Sequence, residues 1–481
     1  MDERMDLSSI GAGIMLPFLK RYALNFLGEG DVAEKQERLL GDKLRRVSNT
    51  RIGRELGLSP NTSIDKMPLT SYQFYNRYFK DPHEGDFLYP LDDYAQAYTS
   101  GSMGKPKAFL LPRSAIKDNL MKTGLTFMFL ATHDGDRTNF EVGDVVYRNI
   151  PGGSYLSGLL TGTFDKQSSG WVKQVPDINM SFHDKVEYFI DNYRGIDVAY
   201  MTITTLLDEV YPRIGEPFHL KGFITQDRSA TVLKDKIREI TGLPPKVTYG
   251  STETLFSALP SIGHPGCFFF DWRVIYCEFI PEEASFSSEA DVSEKKVETV
   301  PLGDVSVGRR YQLVATPFGN DLTRYVTPDI LECVSAGDDV LGFDSPVFSF
   351  YGRTDKLVVM HNFTRIAEEE LIDVMEKSGV PYVDFTVRVE LDGSREYMVV
   401  YIETKQGMEA DDIASKLHAT LLGVDKDYRD LTNFMGYVPL RVRPLPSGAF
   451  RRYLRSKEGM PRIERIGMRE DRLKTLLQME D

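Results

Sequence analysis

The sequence predicts an α/β protein with a large layered N-terminal domain, a β-rich subdomain inside it, and a small α+β domain at the C-terminal end. Three observations predict it. Between Tyr94 and Pro260 short β-rich runs alternate with helical stretches of about a dozen residues, as in layered α/β domains. Residues 271 to 335 change to strand after strand, and beyond Asp355 strands and helices mix again. A chain of 481 residues is long enough for two or three cores of ordinary domain size.

In chain order, residues 1–93 read as a helical preamble, in which 33 to 57 form a charged amphipathic helix ending at the turn Arg54-Glu55-Leu56-Gly57. Strands are expected at Val142 to Ile150, Val198 to Ile203, Phe223 to Thr225 and Lys246 to Tyr249. Val232, Leu233, Ile237 and Ile240 recur at helical spacing, and Gly242-Leu243-Pro244-Pro245 stops that helix before the next strand. Further strands follow at Trp272 to Ile280, Tyr311 to Ala315 and Ile330 to Val334, with the acidic segment Pro281 to Glu298 as a solvated hairpin loop. The C-terminal part reads as a helix at Ala367 to Lys377, strands at Val383 to Leu391 and Tyr397 to Thr404, a helix at Asp411 to Leu422 and a strand at Val438 to Val442. The expected domains are therefore 1–354 and 355–481.

Composition narrows the function classes. Lys and Arg number 58 against 71 Asp and Glu, a net charge of −13, which is opposite in sign to a nucleic-acid-binding footprint. The acidic start Met1-Asp2-Glu3-Arg4 lacks the basic region of a secretory signal, and the apolar run Gly124 to Thr132 is too short to span a bilayer. A cytoplasmic location without membrane or nucleic-acid partners is expected. Three cysteines without paired spacing and seven scattered histidines predict neither a disulfide framework nor a zinc site, so the thiols should be buried and reduced.

Two segments join groups that suit chemistry. Thr99-Ser100-Gly101-Ser102-Met103-Gly104-Lys105-Pro106-Lys107 brings hydroxyls, flexible backbone N–H groups and a cation into one turn, a cradle for phosphate oxygens. Pro106 after the lysine excludes a Walker A loop, and a plain surface turn has the same composition. Tyr249-Gly250-Ser251-Thr252-Glu253 follows a strand and should project from the carboxyl edge of the sheet, where α/β ligands bind. Its tyrosine suits stacking on a base and its glutamate suits Mg²⁺, although a strand end packed on a core reads the same way.

In order and spacing these segments resemble the adenylate-forming superfamily of acyl-CoA synthetases, peptide-synthetase adenylation domains and luciferases. The resemblance implies a phosphate loop at Thr99 to Lys107, an adenine and Mg²⁺ motif at Tyr249 to Glu253, a ribose-binding Asp329 in Tyr325-Val326-Thr327-Pro328-Asp329, and a hinge at Gly352-Arg353-Thr354-Asp355-Lys356. Val326 and Pro328 depart from the family's Arg and Gly. In the tail, Pro446-Ser447-Gly448-Ala449 places Ala449 where acyl-CoA synthetases carry a lysine. Asp427-Tyr428-Arg429, Gly436 to Val442, Gly448-Ala449-Phe450 and Pro461-Arg462-Ile463 look like the auxin- and jasmonate-conjugating acyl acid-amido synthetases, as does Arg54 to Gly57.

That resemblance implies ATP and Mg²⁺ as cofactors, a small carboxylic acid as substrate, and an amine or amino acid as acceptor. Ser100, Ser102, Lys105 and Arg353 would serve catalysis. Thr99 to Lys105, Tyr249 to Thr252 and Asp329 would hold ATP, and Glu253 the metal. Tyr155, Leu156, Met201 and Thr204 would line the acid pocket, with Asp355 and Lys356 as the swivel of a mobile C-terminal domain. Two other readings stay open: a phenylacetate-type acyl-CoA ligase with CoA as acceptor, and a non-catalytic nucleotide-binding descendant.

Overall fold

Five parallel strands form the centre of the layered region in the computed structural model: β3 (Asp144–Arg148), β4 (Val172–Val175), β5 (Val198–Tyr200), β6 (Gly222–Thr225) and β7 (Lys246–Val247), in the order β4-β3-β5-β6-β7. They come after a separate antiparallel hairpin of β1 (Tyr94–Tyr98) and β2 (Ala108–Pro112). The model describes residues 7–28, 32–59, 62–98, 107–149, 170–203, 205–227, 229–286, 292–293, 295–354, 357–361, 364–455 and 463–478. These divide into two compact units, 7–354 and 357–478.

Parallel strands buried on both faces read as continuous apolar runs, and β6 is buried at all four positions. Gly222 opens it because a Cβ there would lie 2.3 Å from the Ala131 carbonyl oxygen. The crossover helix from β6 to β7 runs Ala230–Thr241 and ends on left-handed Gly242, with Ile237 and Ile240 facing the core. Tyr147, Phe189, Ala199 and Phe223 pack beside them.

The β-rich subdomain is larger than 271–335. Its seven strands are β10 (Ala258–Pro260), β11 (Phe268–Phe270), β12 (Ile275–Pro281), β13 (Val300–Pro301), β14 (Arg310–Pro317), β15 (Tyr325–Ser335) and β16 (Val347–Arg353), ordered β10-β11-β16-β15-β14-β12-β13. All their pairings are antiparallel. Phe268, Phe269 and Phe270 are all buried, so this strand has no polar alternation to reveal it. The β12–β13 connection is not simply solvated either: Val292 is buried beside Ile280 and Val326, and Phe286 exchanges backbone hydrogen bonds with the Gln312 amide.

The expected helix 33–57 is two helices, Val32–Ser48 and Arg51–Glu55. Thr50 is extended, and its hydroxyl accepts from the Gly53 N–H at 3.0 Å, an N-cap that starts the second helix afresh. The Cys267, Cys277 and Cys333 thiols are free and buried, and burial pushes Cys267 up to about 12. Among the described residues no helix is long and apolar enough to cross a membrane.

The second unit is built on a three-stranded sheet. Before it stands a hairpin of β17 (Leu357–Met360) and β18 (Thr364–Ala367). Strands β19 (Tyr382–Asp392) and β20 (Arg395–Thr404) pair antiparallel, and β21 (Leu440–Pro444) joins β20 in parallel. Helices Glu368–Ser378 and Ala410–Val424 cover one core through Leu371, Met375, Leu417 and Leu421. The sequence reading leaves Lys426–Met435 without an element; it is a third helix, capped by the Asp425 carboxylate.

Candidate functional site

Asp329 sits within β15, opposite Arg353 of β16 in the strand register, and is 4% exposed. Antiparallel partners on one face lie side by side, so the pairing brings guanidinium and carboxylate together: Arg353 Nη1 donates to Asp329 Oδ1 at 3.1 Å. The other oxygen, Oδ2, accepts from the Tyr249 hydroxyl at 2.6 Å. Three residues separated by 80 and 24 positions thus meet at one carboxylate.

Tyr249 arrives from β7, two residues past its end. Thr248 Oγ1 donates to the Ala258 carbonyl at 2.7 Å, and the Tyr249 carbonyl accepts from Ala258 N–H at 3.2 Å, which ties the end of the parallel sheet to β10. The ring stacks on Phe268 with centroids 5.4 Å apart and meets Phe270 edge-on. It is therefore core material as well as a site residue, with one face already covered. Burial first, then the Asp329 charge, pushes its phenol well above the usual value, so it stays a donor at physiological pH.

Gly250 and Ser251 form β8, which folds back on β9 (Leu255–Phe256). A Cβ on Gly250 would lie 2.5 Å from the Leu255 carbonyl oxygen, so glycine alone allows that return. Ser251 and Thr254 cross-link the turn, each N–H donating to the other's hydroxyl at 3.1 and 3.2 Å. Thr252 is buried and Glu253 half-buried at the turn. The Glu253 carbonyl accepts from Asn320 Nδ2 at 2.9 Å. Its carboxylate adds to burial in raising the Tyr325 phenol, which places its charge near the start of β15.

Three residues that sequence reasoning missed hold this arrangement. Arg324, at φ 45°, is bound by Glu278 through Nε at 3.0 Å and Nη2 at 2.8 Å, and both side chains are buried. Its Nη1 also donates to the Met67 carbonyl at 2.6 Å. The available signal was Glu278 itself, a lone acid inside the apolar run Ile275 to Ile280, which demands a buried partner. Gln312, buried in β14, donates to the Thr327 carbonyl at 2.8 Å and to Thr354 Oγ1 at 3.2 Å, steadying both strands beside Asp329.

Thr99 to Lys105, Tyr155, Leu156, Thr204, Asp355 and Lys356 lie outside the described residues. Met201 is buried in the core at the end of β5, where its N–H donates to the Ile224 carbonyl at 3.2 Å. Among the described residues no group of three or more His, Cys, Asp or Glu is arranged to hold a metal ion. A lone half-buried carboxylate such as Glu253 still fits Mg²⁺, which takes one or two carboxylates together with substrate phosphates and water.

In fold the chain is similar to solved ligases. It is similar to a solved acyl acid amido synthetase, GH3.15 in complex with 2,4-DB, at 16% identity and TM-score 0.52 over 99% of this chain and 97% of that one. A 2-hydroxyisobutyryl-CoA ligase in complex with 2-HIB-AMP and CoA is likewise similar, at 16% identity and TM-score 0.58 over 90% of each chain.

Within that fold, residues 268–353 match the GH3 family central domain, and the chain resembles the GH3 amido synthetases in sequence. The indole-3-acetic acid-amido synthetase GH3.10 of Arabidopsis thaliana is 29% identical over 255 residues, 45% of this chain. A second Arabidopsis thaliana relative, GH3.3, is 26% identical over 195 residues. The matched stretches span 38% and 30% of those two proteins.

Proposed function

We propose that the protein activates a small carboxylic acid with ATP and then joins the acyl group to an amine, an amino acid in the first instance. The observation that carries this reading is the Asp329 carboxylate, gripped by Tyr249 and Arg353 at the meeting of two sheets and inside the stretch that matches the GH3 central domain. The bonds from Tyr249 and Arg353 fix the orientation of the Asp329 carboxylate, the group type that accepts from a pair of ribose hydroxyls.

In the first half-reaction an acid oxygen attacks the α-phosphorus of ATP, the bond to the bridging oxygen breaks, and pyrophosphate leaves. Ser100, Ser102, Gly104 and Lys105 supply donors and charge to the departing phosphates, a matter of positioning and electrostatics. Glu253 would hold Mg²⁺, which would supply further charge neutralisation at the phosphates. Arg353 lies beside Asp329 and would bring its positive charge to the α-phosphate region. Tyr155, Leu156, Met201 and Thr204 shape the acid pocket. In the second half-reaction the amine nitrogen attacks the acyl carbon, the bond to AMP breaks, and the nitrogen loses a proton.

Acid-dependent exchange of pyrophosphate into ATP across a library of acids tests the first half without knowledge of the acceptor. Mass spectrometry after addition of amino acids or CoA tests the second. Exchange with some acid and an amide product is the expected result. Exchange with a thioester product would move the assignment to an acyl-CoA ligase, and no exchange with any acid would leave a non-catalytic nucleotide-binding protein.

A further inference from the structure

The stretch of β15 that carries Asp329 leaves the regular pairing of its sheet. Gln312 of β14 stands opposite Ile330 and Val314 opposite Val326, so Leu313 alone faces Thr327, Pro328 and Asp329. A bulge of this kind bends the strand, re-aims its side chains and takes the bulged residues out of the ladder. Buried backbone groups there need other partners. Gln312 Nε2 donates to the Thr327 carbonyl at 2.8 Å, and the Thr354 N–H donates to the Pro328 carbonyl at 2.7 Å. Thr327 Oγ1 donates to the Leu313 carbonyl at 3.0 Å and accepts from the Asp329 N–H at 3.3 Å.

Gln312 does more than fill one gap. Its side chain is fully buried, and Nε2 also lies 3.2 Å from Oγ1 of Thr354, the residue after Arg353. One amide therefore braces the chain two residues before Asp329 and one residue after Arg353, its ion-pair partner. The same amide makes a two-point contact with Phe286 in the β12–β13 connection, accepting from its N–H at 3.1 Å and donating to its carbonyl at 2.9 Å. The Phe286 ring packs beside Ile280, Val314 and Val326. We propose that Gln312 is a positioning residue for nucleotide binding: it holds the bulge that aims the Asp329 carboxylate at the ribose hydroxyls, and it makes that aim depend on docking of the β12–β13 connection at Phe286. This role acts through Asp329 and so rests on the reading of that carboxylate as the ribose ligand.

ATP and 2′,3′-dideoxy-ATP, which differ only in the two ribose hydroxyls, are titrated calorimetrically into the full chain. Wild type should prefer ATP by about tenfold or more, as expected for hydrogen bonds to a charged acceptor. Gln312→Met keeps the length of the side chain and removes its hydrogen bonds. In that variant the preference should fall to about threefold or less while dideoxy-ATP affinity stays within about twofold, a pattern that general loosening of the fold does not produce. Phe286→Pro removes the N–H that donates to Gln312, and the preceding Ser285 already has the extended φ −65° and ψ 153° that a residue before proline requires. It should lower the preference as well, whereas Phe286→Ala, which loses the ring but keeps the N–H, should retain it.

Urea unfolding identifies the folded variants, and Phe286→Pro carries the test if Gln312→Met does not fold. Equal binding of the two nucleotides by wild type would remove Asp329 as the ribose ligand, and the role of Gln312 with it. A wild-type preference that survives in folded Gln312→Met, or an equal loss of affinity for both nucleotides, would overturn the positioning role alone. A preference retained in Phe286→Pro, or lost equally in Phe286→Ala, would overturn the dependence on the β12–β13 connection.

Discussion

Replacing Glu278 by leucine should be among the most damaging single changes in the N-terminal unit. The carboxylate makes two hydrogen bonds to Arg324, at 2.8 and 3.0 Å, and each side chain of the pair is 5% exposed. After the change the guanidinium keeps, among the described residues, the Met67 carbonyl and the Thr299 hydroxyl as hydrogen-bond partners, neither of which carries charge. An uncompensated buried charge of this kind costs about 3–5 kcal/mol, against a typical domain stability of about 5–15 kcal/mol. The effect should reach the candidate site as well, because Arg324 is in the left-handed region at φ 45° and directly precedes Tyr325, the first residue of the strand that carries Asp329. Urea unfolding followed by tryptophan fluorescence is the assay, since both tryptophans, Trp171 and Trp272, lie in this unit. The double variant Glu278→Leu/Arg324→Met removes both charges and should recover most of the loss, because apolar replacement of a complete buried pair is often neutral. A cost below about 1 kcal/mol for Glu278→Leu, or a double variant as unstable as the sum of the singles, would refute the argument.

Three further outcomes are expected. Tyr249→Phe removes one hydrogen bond to the buried Asp329 carboxylate and should cost roughly 1–3 kcal/mol of stability, with weakened ATP binding by calorimetry; unchanged values for both would remove Tyr249 from the site. Glu253→Gln should abolish acid-dependent pyrophosphate exchange while urea unfolding stays as in wild type, because the amide is a poor Mg²⁺ ligand and the half-buried side chain contributes little to the core. Lys43 supplies a pH test: its folded value is lowered to about 7 from 10.5, so between those values the unfolded chain binds the extra proton. Wild-type stability should therefore rise relative to Lys43→Met from about pH 7 to 10.5, by up to ~1.4 kcal/mol per pH unit, and parallel stability curves for the two proteins would contradict it.

What could be read from the chain was whatever depends on near neighbours. Helical spacing of Ile237 and Ile240 with a glycine stop marked the helix Ala230–Thr241, and apolar runs marked β6 and β12. Tyr249 and Glu253 were legible as candidate chemistry-bearing positions because they share a short segment that joins an aromatic ring, hydroxyls and a carboxylate, whereas Asp329 was singled out only through the resemblance to a known family. Periodicity failed where burial is two-sided, as at Phe268 to Phe270, and where one hydroxyl decides the outcome, as at Thr50. The parts only the folded chain decided all require distant segments to meet. Tyr249 reaches Asp329 because β7 ends beside β10, Arg353 faces the same carboxylate through strand register, and Lys43 meets Asn320 across 277 positions. Local sequence sets the conformation of a segment, but the partner of a buried charge is whichever group the packed sheets and helices bring within about 3 Å of it.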